Sequence, residues 1–418
     1  MSSSPLNRAP STFVCACDKW ARSACEGLPF FKKHQGRPYC VLHYPARDKV
    51  AAFDEVLQRK LDAGDFDFCG VWFPTNAKFG KFRFNAPADF TYATFSSSAN
   101  FNYAVFAGMA DFRSATFGAE AYFGSVTFYG GANFYSAMFK GGAFFISATF
   151  EAEADFFSAA FRATADFGSA TFKDYVRFAG GETTKFFGDR SSLNLQFVRV
   201  EKPDRFSFHT LTLRPHWFVN VDARKFEFIN LNWNYVGAPQ EIEHIGEKDI
   251  LSAHILLATA SRNLAVNAEE NHRYEEASGF RYMAMEAQRL ERWHGFAFWT
   301  LGWWYWLASG YGERVLRAFM VLLAVWLLFA ALYAQVGFVR WEPRVTSEQE
   351  AAEARRDEVG RPLRGWRALT YSLGVMTLQK PEPHPATDAA QAVVMLETIL
   401  GPVQAALLAL AIRRKFMR

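Results

Sequence analysis

The sequence predicts a multidomain chain, in which a β-solenoid is followed by an α-helical hairpin and an α-helical membrane domain. Phenylalanine occupies every fifth or sixth position from Phe68 to Phe178, in 21 consecutive slots, and a fixed short period is typical of solenoids. Residues 318–339 carry no charge and residues 389–412 carry one, so each stretch is long and apolar enough to span a bilayer. The segment 247–293, between the two regions, shows helical periodicity.

The N-terminal region, residues 1–47, is rich in residues that bind metals. Its pattern is Cys15-x-Cys17-x7-Cys25-x14-Cys40-x2-His43, and a structural zinc site needs four sulfur or nitrogen ligands. We expect these ligands to be Cys17, Cys25, Cys40 and His43, with Cys15 as the alternative to Cys17. Structural zinc would supply folding energy to a module with few apolar residues. The other interpretation is a set of unrelated thiols and a surface histidine.

The end of this module, Tyr39-Cys40-Val41-Leu42-His43, resembles that of short zinc-ribbon-like modules that open some bacterial chains of this kind. We expect a linker helix over residues 48–65. Cys69 lies inside the phenylalanine repeat and is expected to be a packing residue. All the cysteines lie in the first 69 residues, in a pattern that suits a metal better than disulfides, which indicates a reducing compartment.

The repeat over residues 66–178 cannot be helical. Successive phenylalanines such as Phe90 and Phe95 would lie about 140° apart on a helix, so one face could not bury both. The slot two residues before each phenylalanine holds alanine in most repeats, and the residues between are good turn or strand formers. We therefore expect short extended faces joined by tight corners, with degenerate coils and a cap over residues 179–236.

The units Ala88-Asp89-Phe90, Ala99-Asn100-Phe101 and Ala110-Asp111-Phe112 resemble the A(D/N)(L/F)XX unit of pentapeptide-repeat proteins. The resemblance implies a right-handed quadrilateral β-helix, with phenylalanine stacked on the axis and the small residue beside it. Because this chain alternates five and six residues, one coil would use two 11-residue units. The regular part would then have five coils and a length of roughly 24 Å at ~4.8 Å per strand.

The charge of the solenoid disfavours one role known for this family, in which a soluble pentapeptide-repeat protein mimics DNA and binds gyrase. Residues 65–177 contain ten acidic and eight basic side chains, which is too balanced to imitate the phosphates of DNA. We expect no nucleic-acid partner and leave a protein partner on the solenoid as the alternative. The sequence contains no phosphate-binding loop, dinucleotide fingerprint, HExxH or GxSxG motif, so we do not expect an enzyme.

A helical hairpin is predicted over residues 237–294, with its turn at 271–273. Its second part, 274–286, resembles the hairpin that joins pentapeptide solenoids to membrane domains in one bacterial subfamily. The next segment, 295–314, contains four consecutive aromatic residues, 303–306. Tryptophan and tyrosine prefer the headgroup level, so we expect an interfacial helix here.

The membrane domain is predicted over residues 315–412, with spans at about 318–339 and 389–412. The segment 363–378 is apolar but too short to cross, so we expect a re-entrant or surface helix. The basic tail, 413–418, and the arginines before the first span favour the inner membrane, with both termini in the cytoplasm. No apolar signal peptide is visible at the N-terminus.

The order of span, short helix and span resembles the two-transmembrane pore domain of potassium-type channels. The resemblance implies a tetramer, with the filter at Thr377, Leu378, Gln379, Lys380 and Glu382. Potassium selectivity is not implied, because this stretch has no glycine and a potassium filter needs the backbone angles of glycine. Lys380 would repel cations and Glu382 would attract them, so the charge of a permeant ion stays open.

Glu397 is the one ionisable residue well inside a predicted span. Such a group marks function by default, in the pore or behind the filter, with a hydrogen bond to Tyr371, Ser372 or Thr377. The alternative is a helix-packing contact that fixes the short helix and touches no ion. Gly401-Pro402 would be a hinge in this span. Two functions fit: an ion-channel-like homo-oligomer gated by a cytoplasmic solenoid, or a membrane-anchored solenoid scaffold without conduction.

Overall fold

The computed structural model of the chain describes residues 13–181, 185–245, 252–291, 300–339 and 361–416. The N-terminal segment 1–12, for which no signal peptide is predicted, lies outside them. The chain divides into two compact units, Met1–Asn267 and Ala268–Arg418. The boundary falls inside a single helix.

The N-terminal region has little regular structure, as expected of a module without an apolar core. Two short strands form an antiparallel hairpin, β1 (Lys32–His34) and β2 (Arg37–Tyr39). Helix α1 (Val50–Asp62) follows, within the range predicted for the linker helix. The 3₁₀ turns of the N-terminal region are Lys19–Ala21, Ser23–Cys25 and Arg47–Lys49. Two further 3₁₀ turns, Pro203–Arg205 and Pro215–Phe218, lie near the end of the solenoid.

The phenylalanine repeat forms a solenoid of parallel strands. Ala88 pairs with Ala110, which pairs with Ala132, so each coil takes 22 residues. This register confirms that one coil uses two 11-residue units. The strands form four parallel sheets, one along each face, and the longest has seven strands, which corresponds to about seven coils.

Faces 1 and 2 are adjacent along the chain. The strands of face 1 are Ala88–Asp89, Ala110–Asp111, Ala132–Asn133, Ala154–Phe157, Val176–Ala179, Phe206–His209 and Glu227–Ile229. The strands of face 2 are Trp72–Phe73, Thr94–Phe95, Thr116–Phe117, Met138–Phe139 and Ala160–Phe161. Face 2 therefore stops before the others.

Faces 3 and 4 complete each coil. The strands of face 3 are Ala77–Lys78, Ala99–Asn100, Ala121–Tyr122, Ala143–Phe144, Ala165–Asp166 and Leu193–Asn194. The strands of face 4 are Arg83–Phe84, Val105–Phe106, Thr127–Phe128, Thr149–Phe150, Thr171–Phe172 and Arg199–Val200. A separate pair, Thr212–Leu213 and Asn232–Trp233, lies in the last coils.

The core of the solenoid consists of stacked phenylalanine columns. The rings of Phe90 and Phe112 are 4.8 Å apart and nearly parallel, as are those of Phe101 and Phe123 at 4.9 Å. Rings of neighbouring columns meet edge to face, for example Phe101 and Phe112 at 5.5 Å. Both geometries are favourable for aromatic pairs. The small residue of each repeat, such as Ala110, is fully buried beside the rings.

In the repeats that have aspartate or asparagine after the small residue, this side chain closes a corner. The Asp89 carboxylate accepts a hydrogen bond from the backbone N–H of Thr91 at 2.8 Å. The Asn100 amide oxygen does the same for Asn102 at 2.9 Å. These Asx-type bonds satisfy a corner N–H that the sheets leave free. Local hydrogen bonding therefore accounts for this repeat position.

Two helices follow the last coils, α2 (Ala238–Ile245) and α3 (Ala253–Glu270). The Asn267 amide on α3 donates to three carbonyl oxygens of the last coils at 2.7–3.1 Å. Leu256 and Ala260 of α3 also pack against Val219. The end of the solenoid is thus covered by α3, which lies beyond the range 179–236 predicted for the cap, and a polar side chain of this helix satisfies the final turn.

The second unit is helical. Its helices after the end of α3 are α4 (Tyr274–Glu291), α5 (Leu301–Ser309), α6 (Val315–Tyr333), α7 (Trp366–Met376) and α8 (Asp388–Phe416). The predicted hairpin turn separates α3 from α4. Helix α6 ends earlier than the predicted span, because the chain turns at Ala334 and enters a strand at Gly337.

A three-stranded sheet places one end each of α6, α7 and α8 side by side. Strand Gly337–Val339 pairs with both Arg361–Pro362 and His384–Pro385. Helix α6 ends just before this sheet, and α7 and α8 begin just after it. The segment between Arg361–Pro362 and His384–Pro385 therefore leaves the sheet and returns to it.

Candidate metal centre and helix contact site

The N-terminal module brings the predicted metal ligands together. Cys15 and Cys17 precede the 3₁₀ turns, Cys25 ends the second turn, and Cys40 and His43 follow strand β2. The ligand atoms of Cys15, Cys17, Cys25 and His43 all lie within 4.8 Å of one another. Local turns and the hairpin thus gather residues that are far apart in sequence.

The spacing of these atoms fits a tetrahedral metal. With Zn–S bonds of ≈ 2.3 Å, two sulfurs of a tetrahedral site lie about 3.8 Å apart. Cys17 Sγ lies 3.8 Å from Cys25 Sγ, and Cys15 Sγ lies 3.8 Å from His43 Nδ1. His43 Nε2 lies 3.0 Å from the carbonyl oxygen of Cys69, to which it can donate. That bond leaves Nδ1 free as a ligand and fixes the ring.

Cys40 is close to this set but not within it. Its Sγ lies 3.2 Å from His43 Nδ1, and its backbone N–H donates to Cys15 Sγ at 3.3 Å. Sequence reasoning treats Cys15 and Cys17 as competitors for one position. The structure instead gathers both, so five donors surround a site that needs four. Cys69 packs with Ala21 and Ala24, as expected of a buried thiol.

Close packing of the thiols shifts their pKa values in opposite directions. Hydrogen bonds with the neighbouring thiols, that of Cys17 first, lower the pKa of Cys15, and the same kind of contact, led by Cys15, raises the pKa of Cys25. Burial disfavours a charged His43, but hydrogen bonds with the surrounding sulfurs raise its pKa to about 12. Thiolates this close repel one another, and a bound divalent cation would remove that conflict.

Glu397 is fully buried among three helices. One carboxylate oxygen accepts a hydrogen bond from the Tyr333 hydroxyl on α6, and the other accepts one from the Ser372 hydroxyl on α7. Of the three partners considered from the sequence, the structure brings Ser372 to Glu397; Tyr371 and Thr377 make other contacts. Sequence reasoning missed Tyr333, although a hydroxyl inside an apolar span is itself a signal.

The predicted filter residues follow α7. Thr377 caps the helix through its hydroxyl, which donates to Leu373 O at 2.9 Å, and Leu378 adopts a left-handed backbone with φ 60°. The side chains of Leu378, Gln379, Lys380 and Glu382 are exposed in the single chain. The five residues therefore lie together on one turn and the chain after it.

Gly401 allows α7 to approach α8. A Cβ added at Gly401 would lie 2.9 Å from Met376 Cγ, and one added at Gly374 would lie 3.2 Å from Pro381. The end of α7 therefore meets α8 about 20 Å from the start of α8, taking 1.5 Å per residue. The chain that follows α7 folds back against α7 at Pro381. Helix α8 is unbroken through Pro402, and the hinge stays a prediction.

Two polar contacts near the other end of these helices were not foreseen. Gln404 on α8 donates to Ala308 O and Ala318 O, both at 2.8 Å. Glu313, whose side chain is 2% exposed, accepts hydrogen bonds from Ser278 and Arg281 on α4 and from Arg414 on α8 at 2.7–3.2 Å. Glu313 thus joins the start of α6 to two helices.

Four parallel sheets around stacked phenylalanines define a β-solenoid protein of short repeats. A family model described as "Pentapeptide repeats (9 copies)" matches residues 90–138. The match confirms the resemblance drawn from the sequence, so the solenoid is a pentapeptide-repeat domain. It does not extend to the C-terminal helices. No curated protein and no solved structure matches the chain.

Proposed function

We propose that this protein is an ion-channel-like membrane protein whose pentapeptide-repeat domain acts as a cytoplasmic sensor or interaction module. One observation carries the proposal: the chain between strands Arg361–Pro362 and His384–Pro385 leaves a sheet, descends as α7 to the middle of α8, and returns along α7. A short helix followed by returning chain is the geometry of a re-entrant pore loop. Irregular backbone at membrane depth is tolerated where it lines a cavity.

The surface of the two long helices supports a membrane location. Val315–Tyr333 and Asp388–Lys415 are long and apolar enough to cross a bilayer. Only 17% of the most apolar stretch of each helix is buried. A core helix of a soluble protein would be mostly buried. Leu396, Ile399 and Val403 on α8 are more than half exposed. Lipid or neighbouring copies of the chain would cover this apolar surface.

A pore built from these elements needs several copies, and the resemblance to potassium-type channels suggests four. The side chains of Lys380 and Glu382 would then surround the entrance. Neither charge is neutralised by an ion pair in the described part of the chain, so both would act on a passing ion. The orientation that fits places both termini in the cytoplasm and the loop at the outer side of the inner membrane.

The first test measures ion passage through the purified full-length protein in liposomes, with potassium, sodium and chloride gradients. We expect passage, with Glu382→Gln lowering the ratio of cation to anion permeability and Lys380→Gln raising it. Each variant is the control for the other, because the two are expected to change the permeability ratio in opposite directions. Absence of flux for every ion, together with a monomeric mass in detergent, would contradict the proposal.

Contacts at Glu313 suggest how the cytoplasmic part could act on the spans. The carboxylate is shared by Arg281 of α4 and Arg414 at the end of α8, and α6 begins two residues later. A displacement of α4 would therefore be passed to both spans. The chain connects α4 to the solenoid through α3.

Replacing Glu313 by alanine is expected to lower the free energy of unfolding by about 2–3 kcal/mol, less than for a fully buried pair because both arginines are partly exposed. The exposed Asp222–Arg224 pair gives the control, since Asp222→Ala removes a surface contact worth under about 1 kcal/mol. Thermal unfolding in detergent measures both. Equal stability of the two variants would show that Glu313 does not join the helices.

A membrane-anchored scaffold without conduction is the second candidate. Both carboxylate oxygens of Glu397 are engaged in helix packing, and the filter position lacks glycine. These observations fit helices that only anchor and assemble the solenoid. An oligomer that passes no ion in the flux experiment would favour this function.

We also propose that the N-terminal cluster holds structural zinc, since its donor spacing fits tetrahedral sulfur and nitrogen ligands. The purified protein should contain about one zinc per chain, and Cys25→Ser or His43→Ala should remove it and lower the melting temperature. Cys69→Ala, a buried thiol outside the cluster, is the control. Single replacements of Cys15, Cys17 and Cys40 should identify the donor that is not needed. Full zinc content in the His43→Ala and Cys25→Ser variants would contradict the site.

A further inference from the structure

The first coil of the solenoid has a neighbouring coil on one side only, among the residues that the structure describes. Its strand Trp72–Phe73 pairs with Thr94–Phe95 and ends the sheet of face 2, whereas the earlier strands β1 and β2 pair with each other. A terminal rung of this kind leaves backbone groups unpaired and the last layer of the core uncovered. The N-terminal module lies at this end of the solenoid, in the position that a preceding coil would take.

A carbonyl of the N-terminal module replaces the carbonyl of a preceding strand. In the second coil, the backbone N–H of Thr94 donates to Val71 O of the first coil at 2.8 Å. Trp72 holds the same position one coil earlier, and its N–H donates to Leu42 O at 3.0 Å. Leu42 is fully buried and directly precedes the candidate ligand His43. The metal-binding loop thus satisfies a donor that would otherwise be unpaired.

His43 replaces a second group of the missing coil. In the second coil, Thr91 O accepts a hydrogen bond from the N–H of Gly70 in the coil before, at 2.8 Å. Cys69 O holds the equivalent position in the first coil and lies 3.0 Å from His43 Nε2, which can donate to it. The other ring nitrogen, Nδ1, lies 3.8 Å from Cys15 Sγ. One imidazole therefore joins the candidate metal ligands to the first rung.

Side chains of the N-terminal region also cover the first layer of rings. Phe53 of α1 meets the Phe73 ring edge to face at 5.4 Å, and Phe73 is 1% exposed although a coil lies on one side of it only. A Cβ added at Gly70 would lie 2.9 Å from Ala21 Cβ and 3.4 Å from the His43 ring. The module and the first coil are therefore packed in direct contact.

We infer that metal binding at the cluster holds the N-terminal module on the first coil, so that the state of the cluster decides whether this end of the solenoid is closed. The inference rests on the proposed zinc site. Metal bound to His43 Nδ1 would fix the imidazole with Nε2 protonated and directed at Cys69 O. Without metal, the ligands are no longer held together, and the loop that presents Leu42 O and His43 Nε2 loosens. The first rung then becomes an open edge, which is a template for pairing with another strand.

The test is hydrogen–deuterium exchange of the full chain in detergent, read by mass spectrometry, before and after a chelator removes zinc in the presence of a reductant. We expect peptides that contain the Trp72 amide to exchange about tenfold faster or more without zinc, because this amide loses its acceptor. Peptides that contain the Thr116 amide, which donates to Ala93 O, should be unchanged. Added zinc should restore the protection, and the zinc content of each sample is measured in parallel.

The variant Gly70→Ala separates the contact from the metal. Gly70 has φ +68° and an added Cβ would collide with Ala21, so this variant should keep its zinc but expose the Trp72 amide even when zinc is bound. Gly64→Ala is the matched control, because Gly64 has φ +66° and no described atom lies within 4 Å of its added Cβ.

Two results would overturn the inference and leave the zinc site standing. The first is unchanged exchange at Trp72 when bound zinc is removed, and the second is equal exchange in the two glycine variants. A purified protein that binds no zinc would contradict the zinc site, and the inference with it.

Discussion

Replacing Phe134 by alanine is expected to lower the free energy of unfolding of the solenoid by about 3–5 kcal/mol. The Phe134 ring is fully buried and stacks on Phe112 at 5.0 Å and on Phe156 at 4.9 Å. Removing it would leave a cavity on the axis, which the rings above and below cannot fill because the backbone of each coil is fixed by its neighbours.

The adjacent residue provides a matched control for this prediction. Tyr135 is 42% exposed and stacks on Phe157 at 5.3 Å on the outer surface. Tyr135→Ala should cost less than about 1 kcal/mol. Urea unfolding of the full chain in detergent, followed by the β-sheet circular dichroism signal, compares the two. Equal midpoints would show that the axial stack contributes no more than a surface aromatic pair.

Replacing Glu397 by leucine is expected to destabilise the second unit by about 1–3 kcal/mol for each buried hydroxyl that loses its acceptor. The carboxylate receives hydrogen bonds from Tyr333 and Ser372. Ser372 keeps a second acceptor, Trp326 O at 3.3 Å, so Tyr333 should account for most of the loss. Thermal unfolding in detergent measures the effect.

Removing all three polar groups is the control for Glu397. The triple variant Glu397→Leu, Tyr333→Phe, Ser372→Ala leaves no unpaired hydroxyl, so it should recover much of the stability. Glu397→Gln separates packing from conduction, because it keeps an acceptor but removes the charge. Unchanged flux in Glu397→Gln would assign Glu397 to packing alone. A Glu397→Leu variant as stable as the natural protein would contradict the predicted contact.

The repeat domain could be predicted from the amino-acid sequence. The period of the phenylalanines from Phe68 to Phe178 buries the same side chain on each face, because every coil repeats the environment of the last. The resemblance to pentapeptide-repeat proteins implied four faces, and with them a coil of two 11-residue units. The register of Ala88 with Ala110 agrees with that coil length. Long apolar stretches likewise revealed the two helices, since hydropathy requires no knowledge of contacts.

The contacts between residues that are distant in sequence could not be predicted and are seen only in the folded chain. Tyr333 and Glu397 are far apart in sequence, as are Glu313 and Arg414, and no local pattern connects them. The same holds for the fifth donor at the metal cluster and for the early end of face 2. A repeat specifies its own packing at every step, whereas contacts between single side chains depend on how the chain returns through loops, which periodicity does not encode.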